Sequence, residues 1–392
     1  MRLVEIQECC NIINGSTPSR KKKEFWDGDI SWFTPKDLSG LESKYIEDSP
    51  EYITKEGYNS CSTTLVPIGS LLFTSRAPIG HLAINKKEAC TNQGFKTLVP
   101  KDGVDVEYLY YALKKNVPQL QDLGNGATFK ELSKATISKF KIPLPPLDQQ
   151  KKIAAILDVA DAYRKKTKAL IEKYDELTQS LFLDMFGDPV TNPKGWNTNE
   201  LGEILEITSS KRIFKDEYVD EGIPFYRTKE IVELSKGKKI SLELFISEKR
   251  YSDIKSKFDI PEKGDILLSA VGTIGIMWTV NTEDPFYFKD GNLVWLKSAN
   301  LKDVDSTYLR MTLEHLIDYE KYKLAEGGAY NALTIAKLKE FKVLLAPYDL
   351  QNKFAERVQA IEAQKAQAQA SLAQAEDLFN SLLQKAFKGE LV

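Results

Sequence analysis

Four stretches of this chain recur later in the same order, and that recurrence limits its possible folds more than any other feature. Gly69-Ser-Leu-Leu-Phe-Thr-Ser-Arg-Ala-Pro-Ile-Gly80 returns 195 residues on as Gly264-Asp-Ile-Leu-Leu-Ser-Ala-Val-Gly-Thr-Ile-Gly275. Gly126-Ala-Thr-Phe-Lys-Glu-Leu-Ser133 is echoed by Gly328-Ala-Tyr-Asn-Ala-Leu-Thr334. Phe140-Lys-Ile-Pro-Leu-Pro-Pro-Leu-Asp-Gln-Gln150 returns 201 residues on as Phe341-Lys-Val-Leu-Leu-Ala-Pro-Tyr-Asp-Leu-Gln351. Asp29-Ile-Ser-Trp-Phe-Thr-Pro-Lys36 is matched by Gly222-Ile-Pro-Phe-Tyr-Arg-Thr-Lys229. One such pair can arise by chance; four in order mean two tandem copies of roughly 195 residues each. Each copy has a globular part and a helical tail.

The tails are long helices. Residues 148–186 contain neither Pro nor Gly, and Gly187-Asp188-Pro189 ends them. An alternating three-four spacing predicts a packing stripe of Ile153, Ile156, Ala160, Tyr163, Thr167, Leu170, Tyr174, Leu177 and Leu181. Residues 349–388 repeat the design with Phe354, Val358, Ile361, Ala368, Leu372, Ala375, Phe379, Leu382 and Ala386, interrupted by Lys365. At about 1.5 Å per residue each helix spans roughly 55–60 Å. A stripe that long needs a partner, and each tail is the other's nearest candidate, as an antiparallel pair.

The globular parts predict mixed α/β structure. Leu65-Val66, Leu71-Leu72-Phe73 and Asp265–Val271 suggest short strands, and Val106–Lys114 and Tyr308–Leu313 short helices. The prolines in Ile142-Pro-Leu-Pro-Pro146 force an extended lead into the first long helix. The fold class expected is α+β: two tandem mixed α/β modules joined by an antiparallel coiled coil with pseudo-twofold symmetry. The boundaries fall at 1–147, 148–188 (first helix), 189–347 and 348–392 (second helix).

Composition excludes several functions. With 54 Lys+Arg against 56 Asp+Glu, the net charge of −2 rules out a globally basic nucleic-acid binder, so any such role needs local patches. Four cysteines, two of them the adjacent Cys9 and Cys10, give no CxxC spacing and no disulfide framework, which fits reduced thiols in the cytoplasm. No signal-peptide core and no apolar run of membrane-spanning length is present, so no membrane association is expected. No phosphate-binding GxxxxGK[ST] loop, GxSxG elbow or HExxH pair appears. His81 and His315 stand alone, and the E-x-K fragment at Glu340 has lysine, not an acid, at Lys139 in the first copy. No catalytic or metal site is therefore assigned.

Polar and basic loops at matching places in the two copies remain. Ser16, Thr17, Ser19, Arg20, Lys21 and Lys22 form the first, with Lys211 and Arg212 their loose counterparts. Hydroxyls, Arg and Lys are the usual donors to phosphates and base edges. Trp32 and Lys36 correspond to Tyr226, Arg227 and Lys229, aromatics beside cations. Ser75 and Arg76 correspond to a segment holding Ser269, at a strand end. Asn92, Gln93 and Lys96 correspond to a segment holding Asn292, and Asn and Gln can read adenine with two bonds. Each loop is equally open to a structural reading as a solvated turn or a core contact.

These stretches, with Met185-Phe-Gly-Asp-Pro189 and Ala386-Phe-Lys-Gly-Glu-Leu391, resemble the specificity subunit of type I restriction-modification systems along nearly the whole chain. The resemblance implies two target-recognition domains, each reading one half of a split, asymmetric sequence in double-stranded DNA. It implies helices that set the half-site spacing and dock two adenine-N6 methyltransferase subunits, with restriction/translocase subunits joining them. The chain itself would bind no cofactor. S-adenosylmethionine would belong to the methyltransferase, and ATP and Mg to the restriction subunit. The second copy departs where Arg76 has no arginine counterpart. The alternative is a scaffold of duplicated α/β modules that binds proteins and never reads DNA.

Overall fold

A computed structural model describes residues 2–126, 130–298, 304–325 and 332–391, with side chains described outside 323–325. The second repeated stretch falls partly outside them, at 127–129 and 328–331. The chain divides into two units, 1–169 with 369–392, and 170–368. Each unit therefore contains one half of each long helix.

In the first unit a five-stranded sheet runs in the order Cys10–Asn14, Lys96–Pro100, Leu71–Ser75, Ile79–Asn85, Tyr45–Ile46. The run Leu71-Leu72-Phe73 is apolar enough to be buried on both faces, as a central strand requires, while Ile79–Asn85 leaves Gly80, His81 and Leu82 half-buried. A three-stranded sheet pairs Trp26–Phe33 with Tyr52–Ile53 and, in parallel, with Cys90–Thr91. Helix Val106–Asp122, capped by the Asp105 carboxylate on the Tyr108 N–H, buries Tyr108, Leu109, Tyr111 and Leu113 against the larger sheet. It is longer than the sequence predicts because Pro118 is accommodated within it. Val66, expected in a strand, forms a lone bridge with Ala89.

The second unit repeats the plan. Its main sheet orders Glu206–Thr208, Leu293–Lys297, Ile266–Ser269, Met277–Thr279. A smaller sheet pairs Ile223–Tyr226 with Phe245–Ile246 and, in parallel, with Tyr287–Phe288. Helix Ser306–Ala325 stands where Val106–Asp122 does in the first. Both copies secure the lead into a long helix in one way. Gln150 accepts from the Asp105 N–H (2.9 Å) and donates to the Gly103 (2.9 Å) and Pro145 (2.8 Å) carbonyls. Gln351 accepts from the Asp305 N–H (2.8 Å) and donates to the Ala346 carbonyl (2.7 Å). Tyr108 and Tyr308 donate their hydroxyls to the Pro143 and Leu344 carbonyls.

The long helices are Leu147–Phe186 and Tyr348–Lys388. Gly187, at φ 79°, stops the first in a conformation glycine adopts at no steric cost. In the first unit Ile153, Ala154 and Leu157 share a core with Phe379, Leu383, Ala386 and Phe387. In the second, Phe182 and Phe186 pack with Phe354 and Val358, the Phe182 and Phe354 rings 5.6 Å apart. Within each unit the start of one helix meets the end of the other, so the pairing is antiparallel. On the second helix, Phe354, Val358, Ala368, Ala375, Phe379 and Ala386 are buried, and Ile361, Leu372 and Leu382 half-buried. Lys365 bonds to Asp175, which explains its place in that stripe.

On the first helix one column of the expected stripe is corrected. Ile156, Leu170 and Leu177 are exposed (37%, 42% and 50%), as is Tyr163. The covered positions step four then three: Ile153, Leu157, Ala160, Arg164, Thr167, Ile171, Tyr174, Thr178, Leu181. Ile153, Ala160, Thr167, Tyr174 and Leu181 belong to both patterns; the alternate column shifts by one residue. The cause is the polar content of the covered face. Asp161 is buried there and binds Arg164 (2.5 Å) and Lys165 (2.6 Å), with Lys114 at 3.9 Å. Burial pushes its carboxyl up, but the three cations outweigh it and hold it below the ordinary range.

Candidate nucleic-acid interface

In the first copy, the loop after Cys10–Asn14 lies on the turn after Cys90–Thr91. A Cβ at Gly15 would stand 1.9 Å from the Asn92 carbonyl oxygen, so only glycine permits this approach. The Ser16 N–H donates to the Thr91 carbonyl (2.9 Å), and the Thr17 hydroxyl donates to Gln93 Oε1. Trp32 is 1% exposed and donates Nε1–H to the Ser16 carbonyl (3.0 Å). It supports the loop from beneath and is no part of a reading surface, correcting one expectation. Arg20 lies 3.9 Å over the Trp26 ring and bonds to both oxygens of Glu51, which raises the guanidinium's already high pKa. Ser19, Lys21, Lys22 and Lys36 are exposed. Lys36 sits on a turn, Pro35–Leu38, closed by the Asp37 carboxylate on the Thr34 N–H.

The strand end at Ser75 joins the same edge. Ser75 is fully buried, its hydroxyl donating to the Gly94 carbonyl (3.1 Å), so it shapes the turn and cannot reach a ligand. Asn92 accepts from the Gly94 N–H through its side-chain oxygen (2.8 Å). Arg76 and Lys96 both face Glu131, at 3.5 and 3.7 Å. Lys96 is 7% exposed, and burial, only partly offset by Glu131, lowers its pKa. The first-copy candidates on this edge thus sort into outward donors and residues that support the turns from within.

In the second copy, Lys211 donates its N–H to the Tyr287 hydroxyl (2.7 Å) and sets its ammonium 4.4 Å from the Phe258 ring. Arg212 binds Asp290 (2.8 Å). Tyr226 is half-buried and stacked on Phe286, 4.8 Å away. Arg227 binds Glu230 and Glu243 (2.6 Å each), and Lys229 also binds Glu243. Those two cations pull the Glu243 carboxyl down to about 2. Ser269 is fully buried, donating to the Thr273 carbonyl and accepting from the Ile276 N–H, so it too is a turn support. Thr74 makes the equivalent bonds to Pro78 and His81. Asn292 is half-buried, its carbonyl accepting from the Ala270 N–H (2.8 Å).

Sequence reasoning missed the acids that hold these cations, Glu51, Glu131 and Glu243, since partners 31, 55 and 16 residues distant leave no local pattern. It also missed the exposed Lys236, Lys238 and Lys239, whose clustering was a visible signal. Among the described residues, no group of three His, Cys, Asp or Glu side chains is placed to hold a metal ion. No helix among them is long and apolar enough to cross a membrane.

A repeated framework carrying different polar side chains at matching edges defines a two-module recognition protein. The model of the type I restriction modification DNA specificity domain matches residues 1–173 and again 193–376, and the chain belongs to that family, whose role is DNA sequence specificity. The MjaIX specificity subunit of Methanocaldococcus jannaschii is 33% identical over 406 residues, covering 99% of this chain and 92% of its own. A putative type I specificity subunit of Haemophilus influenzae is 32% identical, covering 89% and 84%. Two solved structures share the fold. One comes from a study of complex assembly and conformational transition of the type I R-M system (TM-score 0.62, 20% identity, 100% and 98% covered). The other is the S subunit from M. genitalium (TM-score 0.57, 17% identity, 98% and 96% covered).

Proposed function

We propose that residues 1–147 and 189–347 each read one half of a bipartite, asymmetric DNA target, and that the long helices set the half-site spacing. The observation carrying this reading is the doubled framework itself. Backbone-supporting residues are equivalent in the two copies (Thr74 and Ser269, Gln150 and Gln351), while the outward side chains differ (Ser16, Ser19 and Lys21 against Lys211, Arg212 and Arg227), with Lys36 and Lys229 alike. Equivalent scaffolds bearing different donors suit two unlike half-sites, because base edges are distinguished by donor pattern and not by scaffold. Two adenine-N6 methyltransferase subunits dock on the helices, and restriction/translocase subunits join the cytoplasmic complex. S-adenosylmethionine, ATP and Mg belong to those partners, and the side chains described above are given no step in the chemistry.

The test is co-expression with a cognate methyltransferase subunit, followed by single-molecule mapping of methylated adenines. A split, asymmetric motif that disappears without this chain is expected. Replacing residues 1–147 with another such module should change one half of the motif alone. A change in both halves would refute the division of labour. Removing one heptad from each long helix should alter the spacer or abolish assembly, and an unchanged spacer would refute the ruler.

A further inference from the structure

One cluster in the first copy has lost every charge at its equivalent place in the second. Arg76 and Glu131 form a backbone bridge, and Leu132 N–H, the next residue, donates to the Ser75 carbonyl (2.9 Å). In the second copy the bridge joins Val271 and Ala332, and the Leu333 N–H donates to the Ala270 carbonyl (2.8 Å). Strand register supplies the third member. Leu98 pairs with Leu71 and Ile12, and Leu296 pairs with Ile266 and Ile207, so Lys96 corresponds to Val294. Arg76, Glu131 and Lys96 thus become Val271, Ala332 and Val294 on an equivalent backbone.

The replacement shows that this framework stands without the charges. The first copy nevertheless keeps a nearly buried ammonium, which costs desolvation free energy unless it is fully partnered. Its partner Glu131 is shared with Arg76, so two cations face one carboxylate. Lys134 lies near enough to disfavour the Lys96 charge further. An arriving anion would relieve this excess. The cluster adjoins the edge that carries Thr17, Asn92 and Gln93, through Gly94 and Ser75.

We propose that Arg76 and Lys96, poised around Glu131, are a seat for one backbone phosphate of the DNA, present in the first module and absent from the second. This rests on the reading of the chain as a DNA-recognition subunit. Lysine binds phosphate as a point charge and arginine through its planar fork, while Glu131 holds both in place until DNA arrives.

The experiment uses the complex of this chain with its methyltransferase subunit and a duplex carrying the mapped motif, titrated across a salt series. The triple variant Arg76→Val, Lys96→Val, Glu131→Ala installs the second copy's own residues. It is expected to melt like the parent, bind about ten-fold more weakly, and lose about 1 from the salt slope, with the methylated sequence unchanged. Glu131→Gln is expected to bind more tightly, and it decides the matter should the triple variant fail to fold: unchanged affinity overturns the proposal. Equal affinity and slope in a folded triple variant overturn it as well. A shifted methylation motif overturns the phosphate assignment in favour of a base contact. A parent complex that binds no duplex overturns the underlying reading together with the inference.

Discussion

The two copies agree where side chains satisfy backbone and differ where side chains meet solvent. Gln150 and Gln351 close the same turn, each accepting from an aspartate N–H and donating to the carbonyl five residues back, and Thr74 and Ser269 close the same strand-end turn. Arg76, Glu131 and Lys96 have no charged counterparts. A buried amide N–H or carbonyl without a partner costs about 1–3 kcal/mol, so the first kind of position tolerates little change. A cation paired only to another side chain, half-buried like Arg76 or nearly buried like Lys96, holds no backbone group and carries no such obligation. The contrast separates what makes the module from what the module presents.

Three expected outcomes would break or sharpen that contrast. The largest effect belongs to the shared glutamines. Gln150→Leu strips partners from the Asp105 N–H and the Gly103 and Pro145 carbonyls, and should cost on the order of 3–5 kcal/mol by urea unfolding. Gln351→Leu should be similarly severe, and a mild effect in either copy would break the equivalence. The next concerns a buried acid without a buried equivalent. Asp161 and Glu362 occupy matching positions 201 residues apart, but Asp161 is 5% exposed and Glu362 is exposed. Asp161→Asn should cost about 1–3 kcal/mol at neutral pH, discounted because Lys165 is part exposed. Its folded-state pKa is depressed, so this stability is present above the unfolded carboxylate range and lost as pH falls through the folded value. The gap between parent and variant should therefore close in acid, while Glu362→Gln should show little effect at any pH. The smallest effect tests the corrected helix face. Leu177→Lys should lie within about 0.5 kcal/mol of the parent, because its side chain is already half in water. Thr178→Lys, one residue on and 6% exposed, should be clearly destabilising in the same melts.

How much of this could be read beforehand follows from what each residue signals. The duplication, the extended lead at Pro143–Pro146 and the stop at Gly187 were legible because proline and glycine act on local backbone. The second helix's stripe was legible because its small and apolar residues fall on one face. The first helix's was legible by halves. Ile156 beside Leu157 and Leu170 beside Ile171 satisfy either alternation, and the covered face carries Asp161, Arg164 and Thr178, which spacing alone assigns to water. At the candidate interface, residue type identified donors but not their direction. Ser75, Ser269 and Trp32 point inward because turns at Gly94, Thr273 and Ser16 take up their polar atoms.

The discontinuity of the first unit has a consequence for how the chain is made. Ile153 and Leu157 share a core with Phe379, Leu383 and Phe387, more than 200 residues later. A ribosome releases the N-terminal module long before it supplies those rings. Until then the apolar side of the first helix waits uncovered, and closing it requires a loop spanning more than half the chain. A product terminated between the two modules would carry a nearly complete first module with an open seam. The first module is therefore completed only after the second has been made.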